Sequence, residues 1–424
     1  MEKVRIHTKH MGIMEGHLMP KTEYNQPNSI IIKLKSGYNL AINEKDILKI
    51  EKLSFSLPHQ EDSSRSSKNT NIKDIHIIST GGTIASKIEY ETGGVKASFK
   101  PEDIFSIIPE IKNSDPFNQY QYSFEVLMEE MSEDLTPRHW EIIAKHVEKV
   151  IKKVNKGIII AHGTDTMHYT SAALSFALAN SLNKPVIITG AQRSSDRASS
   201  DAFLNFLASI YFIQAGLSPG VYIVMHGKSS DIEYHAHLGT KVKKMHTSRR
   251  DAFKSINAKP KGIALYDLEN KKWSINKLDP VTLNPCPHFA DIKFSDKASL
   301  IKYYPGMSPG FLDYVLSQSQ GVIIEGTGLG HVKVNGENNL LDVIKKHASE
   351  KFIGMCSQTV YGAVHPYVYA NLRKLSKAGV VYLEDMICET AYVKLSYALA
   401  HTMEKEKIKE FMLTPIMEEI TRVW

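Results

Sequence analysis

Six short apolar runs, each followed closely by glycine or hydroxyl-bearing residues, constrain this chain more than any other feature. They are Ile75–Ser79, Gly157–Ala161, Val186–Thr189, Val221–Met225, Val322–Ile324 and Phe352–Met355. Longer segments of helical character lie between some of them. Thr170–Ala179 is rich in Ala and Leu, and Asp201–Tyr211 follows the same plan with Asp201 placed to cap it. Continuous apolar runs three to five residues long suit strands buried on both faces, and alternation with helices predicts a parallel sheet covered on each side. In such sheets ligands bind beyond the carboxyl ends of the strands, so the loops there are where chemistry is expected.

The runs begin only after a marked boundary. Pro58–Asn71 contains no aliphatic or aromatic residue, and a stretch with so little to bury reads as a flexible tether. Ahead of it, Ser29–Leu34, Tyr38–Ile42 and Ile47–Leu53 have strand character, with Ser36-Gly37 at a hairpin turn, which predicts a small β-barrel. A second break falls where the chain turns polar and carries Pro280, Pro285 and Pro287. The expected layout is a barrel over 1–57, a linker over 58–71, and a larger α/β domain over 72–265. A connection over 266–289 and a smaller α/β domain over 290–424 complete it. With 52 Lys/Arg against 46 Asp/Glu the chain carries +6, which does not by itself require a nucleic-acid partner. No run approaches the ~18 apolar residues of a membrane span, and the charged N-terminus has no signal-peptide core, so a cytoplasmic protein is expected. Cys286, Cys356 and Cys388 are too few and too scattered for a disulfide framework or zinc knot.

Two of the strand-end loops share an arrangement. Ile75–Ser79 runs into Thr80-Gly81-Gly82-Thr83-Ile84-Ala85-Ser86, and Gly157–Ala161 runs into His162-Gly163-Thr164-Asp165-Thr166. In each, glycine lets the backbone turn sharply and the next threonine can project into a crevice. Either loop alone is ordinary turn composition. The pair, in the same strand–loop–helix setting, is not.

These loops resemble the signature loops of the L-asparaginase/glutaminase amidohydrolases. The likeness continues through Ser132-Glu133-Asp134, Thr189–Gln192 and Lys244–Ser255, covering most of residues 74–424. It implies an asparaginase-like two-domain parallel-sheet α/β fold. The leading barrel with Lys33–Ile42, the tether, and the run Tyr361–Met386 extend the resemblance over essentially the whole chain, to the D-type components of archaeal glutamyl-tRNA(Gln) amidotransferases. Hydrolysing a carboxamide needs a nucleophile, a means of removing its proton, oxyanion donors and a proton for the departing ammonia. The resemblance implies Thr83 as nucleophile and Thr164, Asp165 and Lys244 as a second cluster opposite it. Lys244 is either a base, if burial or cationic neighbours lower its pKa, or a charged group polarising Thr164. The family's activating tyrosine corresponds to Tyr90, although its spacing departs from that of the simple hydrolases. Asp165 would hold the substrate's α-ammonium, with Ser132 and Glu133 also in the substrate site.

The same resemblance implies a glutaminase, with asparagine a further candidate substrate, supplying ammonia through a buried channel to a partner, the E-type component of the amidotransferase. That partner would carry ATP, Mg and most contacts with Glu-tRNA(Gln); no cofactor is expected in this chain. A homodimer core within a heterotetramer is expected. A free-standing L-asparaginase would need the same loops but has no use for a tethered barrel, and a catalytically dead scaffold has no reason to keep Thr83, Thr164, Asp165 and Lys244 together. Other motifs are weaker. Gly227-Lys228-Ser229 lacks the upstream glycine of a phosphate loop, since that position is Tyr222, and Gly326–Gly330 is misspaced for a dinucleotide fingerprint. His235 and His237 read as loop packing rather than a metal site. Lys241–Lys254, with six cations and one Asp, reads by default as a solvated loop, with a site-shaping role for Lys244 and a partner-facing role for the others as competing readings.

Overall fold

The computed structural model describes residues 2–20, 28–34, 39–53, 73–82, 86–88, 95–97, 117–193, 199–284, 286 and 291–421. The linker over 58–71, the Ser36-Gly37 turn, Thr83 and Tyr90 lie outside the described residues.

The first five strands are β1 (Lys3–Thr8), β2 (Ile13–Leu18), β3 (Ser29–Leu34), β4 (Asn39–Asn43) and β5 (Ile47–Lys52). They pair antiparallel in the order β4-β3-β2-β1-β5. Val4, Ile6, Ile32 and Ile42 are buried together, with Met14 of β2 and Ile47 of β5 against them. Side chains from both edge strands thus meet in one cluster, as they do when a short sheet curls on itself. Among the described residues no ladder joins β4 to β5.

The central region begins with β6 (Ile75–Gly81), the hairpin of β7 (Ser86–Ile88) and β8 (Val95–Ala97), β9 (Tyr122–Glu130), helix α1 (Pro137–Ile151) and β10 (Gly157–Ala161). Helix α2 (Met167–Leu178), β11 (Pro185–Thr189), α3 (Ala202–Gln214), β12 (Gly220–His226) and β13 (Glu233–Leu238) follow. The region closes with β14 (Val242–Lys244), β15 (Phe253–Ser255), β16 (Gly262–Asp267) and β17 (Lys272–Leu278). Eight of these strands form one sheet in the order β17-β16-β13-β12-β11-β10-β6-β9. From β12 to β9 every pairing is parallel. Each residue of β6, β10, β11 and β12 is buried, which is why these strands read as unbroken apolar runs. Helix α1 buries Trp140, Ile143, Ala144, Val147, Val150 and Ile151, a stripe at helical spacing.

The other half of the sheet departs from the sequence expectation. β13, β16 and β17 are antiparallel, and β17 lies inside the stretch read as an interdomain connection. Its alternating pattern, with Trp273 packed on Tyr211, Tyr234 and Tyr266, is that of a half-buried edge strand and carries no long apolar run. Asp201 does precede α3, but its carboxylate accepts from the Gln192 and Arg193 backbone N–H groups and from Asn205 Nδ2, pinning the loop after β11.

The last region comprises β18 (Ala298–Lys302), α4 (Pro309–Gln318), β19 (Gly321–Gly326), α5 (Leu341–Ala348), β20 (Phe352–Ser357) and α6 (Ala370–Lys377). It ends with β21 (Val381–Tyr382), α7 (Cys388–Leu399) and α8 (Lys405–Leu413). β18, β19, β20 and β21 form a second, wholly parallel sheet. The two sheets are joined through α2 and α7, whose Ala172, Ala173, Phe176, Ala391, Leu395 and Ala398 share one buried cluster. Small residues at the contact let the helix backbones approach closely. The fold is therefore α/β with a larger and a smaller sheet, preceded by an antiparallel β region. Cys286, Cys356 and Cys388 are all buried. Among the described residues no helix is long and apolar enough to cross a membrane.

Candidate active site

The parallel pairing of β6 with β10 sets Ser79 beside Ala161, so the loops leaving the two strands start side by side. Thr80 Oγ1 donates to the Ala161 carbonyl at 3.0 Å and ties the first loop to the second strand. Gly81 and Gly82 follow with φ of +102° and +79°, a region that favours glycine. A Cβ on Gly82 would fall 2.2 Å from the Gly163 backbone nitrogen. The two loops therefore touch backbone to backbone, directly before Thr83 on one side and Thr164 on the other. Thr83 itself is not among the described residues, nor is Tyr90.

The second loop is rigidly held. His162 is fully buried; its N–H donates to the Thr189 carbonyl at 2.9 Å, and its Nδ1 lies 2.6 Å from the Gly163 carbonyl. Burial pushes its imidazole down to about 4, so the ring is neutral at neutral pH. The Thr166 hydroxyl donates to the Ser132 carbonyl at 2.6 Å. Buried Ser132 packs against Gly163 so closely that a Cβ there would lie 2.7 Å from the serine Cβ. The Ser132–Asp134 turn at the end of β9 is thereby held against the second loop, and the Ser132 hydroxyl reaches Glu133 Oε2 at 3.5 Å.

Lys244, the last residue of β14, completes the cluster. Its Nζ donates to Thr164 Oγ1 at 2.9 Å and to Asp165 Oδ1 at 2.6 Å. Thr164 is buried, whereas the Asp165 side chain is 66% exposed and open to a ligand. The arrangement brings together a hydroxyl held by a cation, a carboxylate facing outward and a second hydroxyl-bearing turn. Of the seven candidate residues, the structure gathers Thr164, Asp165, Lys244, Ser132 and Glu133, and places Gly82, the residue before Thr83, against them.

The cationic stretch forms the β14–β15 hairpin, whose turn over Met245–Arg249 is exposed while its cations are paired. Each of its six cations has a carboxylate partner: Lys241 with Asp385, Lys243 with Glu389, Lys244 with Asp165, Arg249 and Lys254 with Asp251, and Arg250 with Asp231. Arg249 and Lys254 hold the Asp251 carboxyl well below its usual range despite partial burial. The Lys241 and Lys243 pairs, at 2.6 and 2.5 Å, anchor the β14–β15 hairpin to the segment leading into α7 and to its first turn. Sequence reasoning missed these anchors because the acids lie about 145 residues downstream and in no shared motif. Below Lys244, burial also pushes His168 down to about 4, and burial with the Glu389 charge pushes the Glu325 carboxyl up. His235 and His237 stand on strand β13 rather than in a loop, facing Glu233 and Ser255.

Residues 74–277 match the family described as asparaginase, N-terminal, and residues 297–412 the glutaminase/asparaginase C-terminal domain. Residues 1–53 match the GatD N-terminal domain. The chain is 43% identical over 412 residues to the D-type component of the glutamyl-tRNA(Gln) amidotransferase of Sulfolobus acidocaldarius, covering 97% of this chain and 89% of that one. It is 41% identical over 419 residues to the corresponding component from Pyrococcus horikoshii, covering 96% and 91%. The chain belongs to the GatD family of glutamyl-tRNA(Gln) amidotransferase components. Among solved structures, the thermostable L-asparaginase from Thermococcus kodakarensis superposes with a TM-score of 0.69 at 30% identity, over 82% of this chain and 99% of that one. The L-asparaginase I structure from Vibrio cholerae gives 0.66 at 26% identity, over 82% and 99%. The GatD family thus carries the asparaginase-like fold anticipated from the two loops.

Proposed function

We propose that the chain is the glutaminase component of a tRNA-dependent amidotransferase, hydrolysing glutamine and supplying ammonia to a second protein. The observation that carries this reading is the Lys244–Thr164–Asp165 cluster abutting the Gly82 turn, in a chain that matches GatD relatives along nearly its full length. In this reading the Thr83 hydroxyl attacks the carboxamide carbon of glutamine. Its proton leaves through a hydroxyl network that includes Tyr90 and Thr164. The C–N bond breaks as the nitrogen gains a proton and departs as ammonia. Water then cleaves the threonine ester, giving glutamate and restoring Thr83. Lys244, ion-paired to Asp165 and donating to Thr164, fits the charged polarising role better than the base role. Asp165 offers its exposed oxygen to the substrate ammonium, with Ser132 and Glu133 alongside.

The partner is the E-type component, which would bind ATP, Mg²⁺ and most of Glu-tRNA(Gln), and receive ammonia through an enclosed route because ammonia protonated in water is no nucleophile. The assembly is a cytoplasmic heterotetramer on a homodimer of this chain. The solved L-asparaginases that share the fold favour a second reading, a free-standing L-asparaginase. Co-purification with the E-type partner, followed by glutamine turnover with and without Glu-tRNA(Gln), separates the two. Turnover raised by the tRNA supports the proposal. Robust asparagine hydrolysis by the chain alone, unaffected by tRNA and partner, contradicts it.

A further inference from the structure

Three side chains from three elements converge near the end of β6 remote from Gly82. His76 comes from β6, Glu125 from edge strand β9 and His146 from helix α1. Glu125 Oε2 lies 3.0 Å from His146 Nε2 and 3.5 Å from His76 Nε2. The three donor atoms fall within 4.8 Å of one another. Both Nε2 atoms are shielded from solvent and neither makes a hydrogen bond, though both face the same carboxylate. His76 is only 4% exposed, so its Nε2 faces the Glu125 carboxylate at 3.5 Å rather than solvent.

The surroundings orient these donors. His76 and Ser123 are direct partners in the β6–β9 ladder, and His76 Nδ1 lies 2.8 Å from the Ser123 hydroxyl. The Ser123 hydroxyl, which also accepts from the Lys73 N–H at 3.3 Å, can accept from or donate to Nδ1; with an ion bound, the Nδ1–H tautomer turns the Nε2 lone pair toward Glu125, the arrangement that metal-binding histidines use. Glu125 is the next residue on the same face of β9, since side chains alternate along a strand. A tetrahedral ion with bonds of ~2.0–2.1 Å sets its donors about 3.3 Å apart, a value that the 3.0 and 3.5 Å separations bracket.

We propose that His76, Glu125 and His146 form a binding site for a divalent transition metal, with zinc the best match to two imidazoles and a carboxylate, and a fourth position open to solvent on the Glu125 side. The site stands six residues along β6 from Gly82, roughly 20 Å at the rise of a strand, so it takes no part in amide chemistry. Its effect is structural. The ion would clamp the edge strand β9 and helix α1 to the inner strand β6, and β9 runs directly toward the Ser132–Asp134 turn of the candidate active site.

The test uses the untagged full chain, stripped with a chelator and titrated with zinc sulfate against a chromophoric competitor, with thermal melts in parallel. The expected result is one tightly bound equivalent of Zn²⁺ per chain and a melting temperature that rises with Zn²⁺ concentration. Ser123→Ala should weaken binding about 10- to 100-fold, the usual effect of losing an outer hydrogen bond. Glu125→Gln and His146→Gln, both at partly exposed positions, should keep the wild-type circular dichroism and lose the equivalent. Absence of a stoichiometric equivalent in the wild-type chain overturns the proposal. So does an equivalent held with unchanged affinity by either variant, which would move the ion to another group such as Glu233, His235 and His237.

Discussion

Lys244 grips two neighbouring residues of one loop, and the two contacts have different consequences. The contact with buried Thr164 fixes a hydroxyl that solvent barely reaches, while the contact with exposed Asp165 leaves a carboxylate edge free. Lys244→Met keeps the side-chain bulk and leaves Asp165 hydrated but strips buried Thr164 of a charged donor, so stability should fall by about 1–3 kcal/mol. Glutamine hydrolysis should fall by about 10²- to 10³-fold, the range for removing one charge-stabilising donor. Steady-state glutaminase assays with a denaturation curve check both. His162 and His168 give a second prediction. Burial holds both imidazoles down to about 4, against an unfolded value near 6.5. The unfolded chain therefore takes up protons that the fold refuses. Their contribution is undiminished above pH 6.5 and is lost as pH falls toward 4, by on the order of 3 kcal/mol for each ring at the lower limit. Urea midpoints measured from pH 7 to pH 5 should decline, and His168→Gln should flatten the slope. At this scale the sequence was informative where chemistry is local. Thr164, Asp165 and Ser132 sit in short motifs, and the loop touching Gly163 is the one that carries Thr83. The partners of Lys241 and Lys243 were illegible, because nothing near a lysine marks an acid that folding brings from another element.

Elements show the same division between local and distant information. β6, β10, β11, β12, β19 and β20 were readable because a strand covered on both faces is apolar throughout. β13 and β17 were not, since EYHAHL and KWSINKL mix polar and apolar residues on the open half of the sheet. The hairpin β14–β15 carries Lys244, and its orientation depends on Lys241, which is 1% exposed and donates to Asp385 Oδ2 at 2.6 Å. Burial draws the Lys241 ammonium down, and Asp385 opposes it. Asp385→Leu leaves a buried charge alone and also removes the acceptor for the Thr421 N–H, so it should cost about 3–5 kcal/mol. The double variant Lys241→Met with Asp385→Leu should recover much of that loss, because an apolar pair of similar volume often replaces a buried ion pair at little cost. Chemical denaturation of the three variants against wild type measures this. A double variant no more stable than Asp385→Leu would show that the Thr421 contact, not the ion pair, carries the site.

On the scale of the whole molecule, the chain joins separate cores. Val4, Ile6, Ile32 and Ile42 form a cluster of their own, and among the described residues the clusters of the two α/β sheets contain none before Ile75. A chain starting at Lys73 should therefore fold, with a melting temperature within a few degrees of the full-length protein. Aggregation of the truncated chain would show that the leading β region covers apolar surface on the rest. The overall α/β class and the leading β region were legible because each rests on the spacing of apolar runs. The joining of the two sheets through α2 and α7 was not, since Ala-rich helices look alike whether they pack within a layer or between layers. The central claim concerns the amide-splitting centre at the meeting of the two loops. Its most direct test is the amidation of Glu-tRNA(Gln) by Thr83→Val, co-purified with the E-type partner, with glutamine or ammonium chloride as the nitrogen donor. The expected result is no product from glutamine and a wild-type yield from ammonium. Product formed from glutamine at the wild-type rate would contradict it.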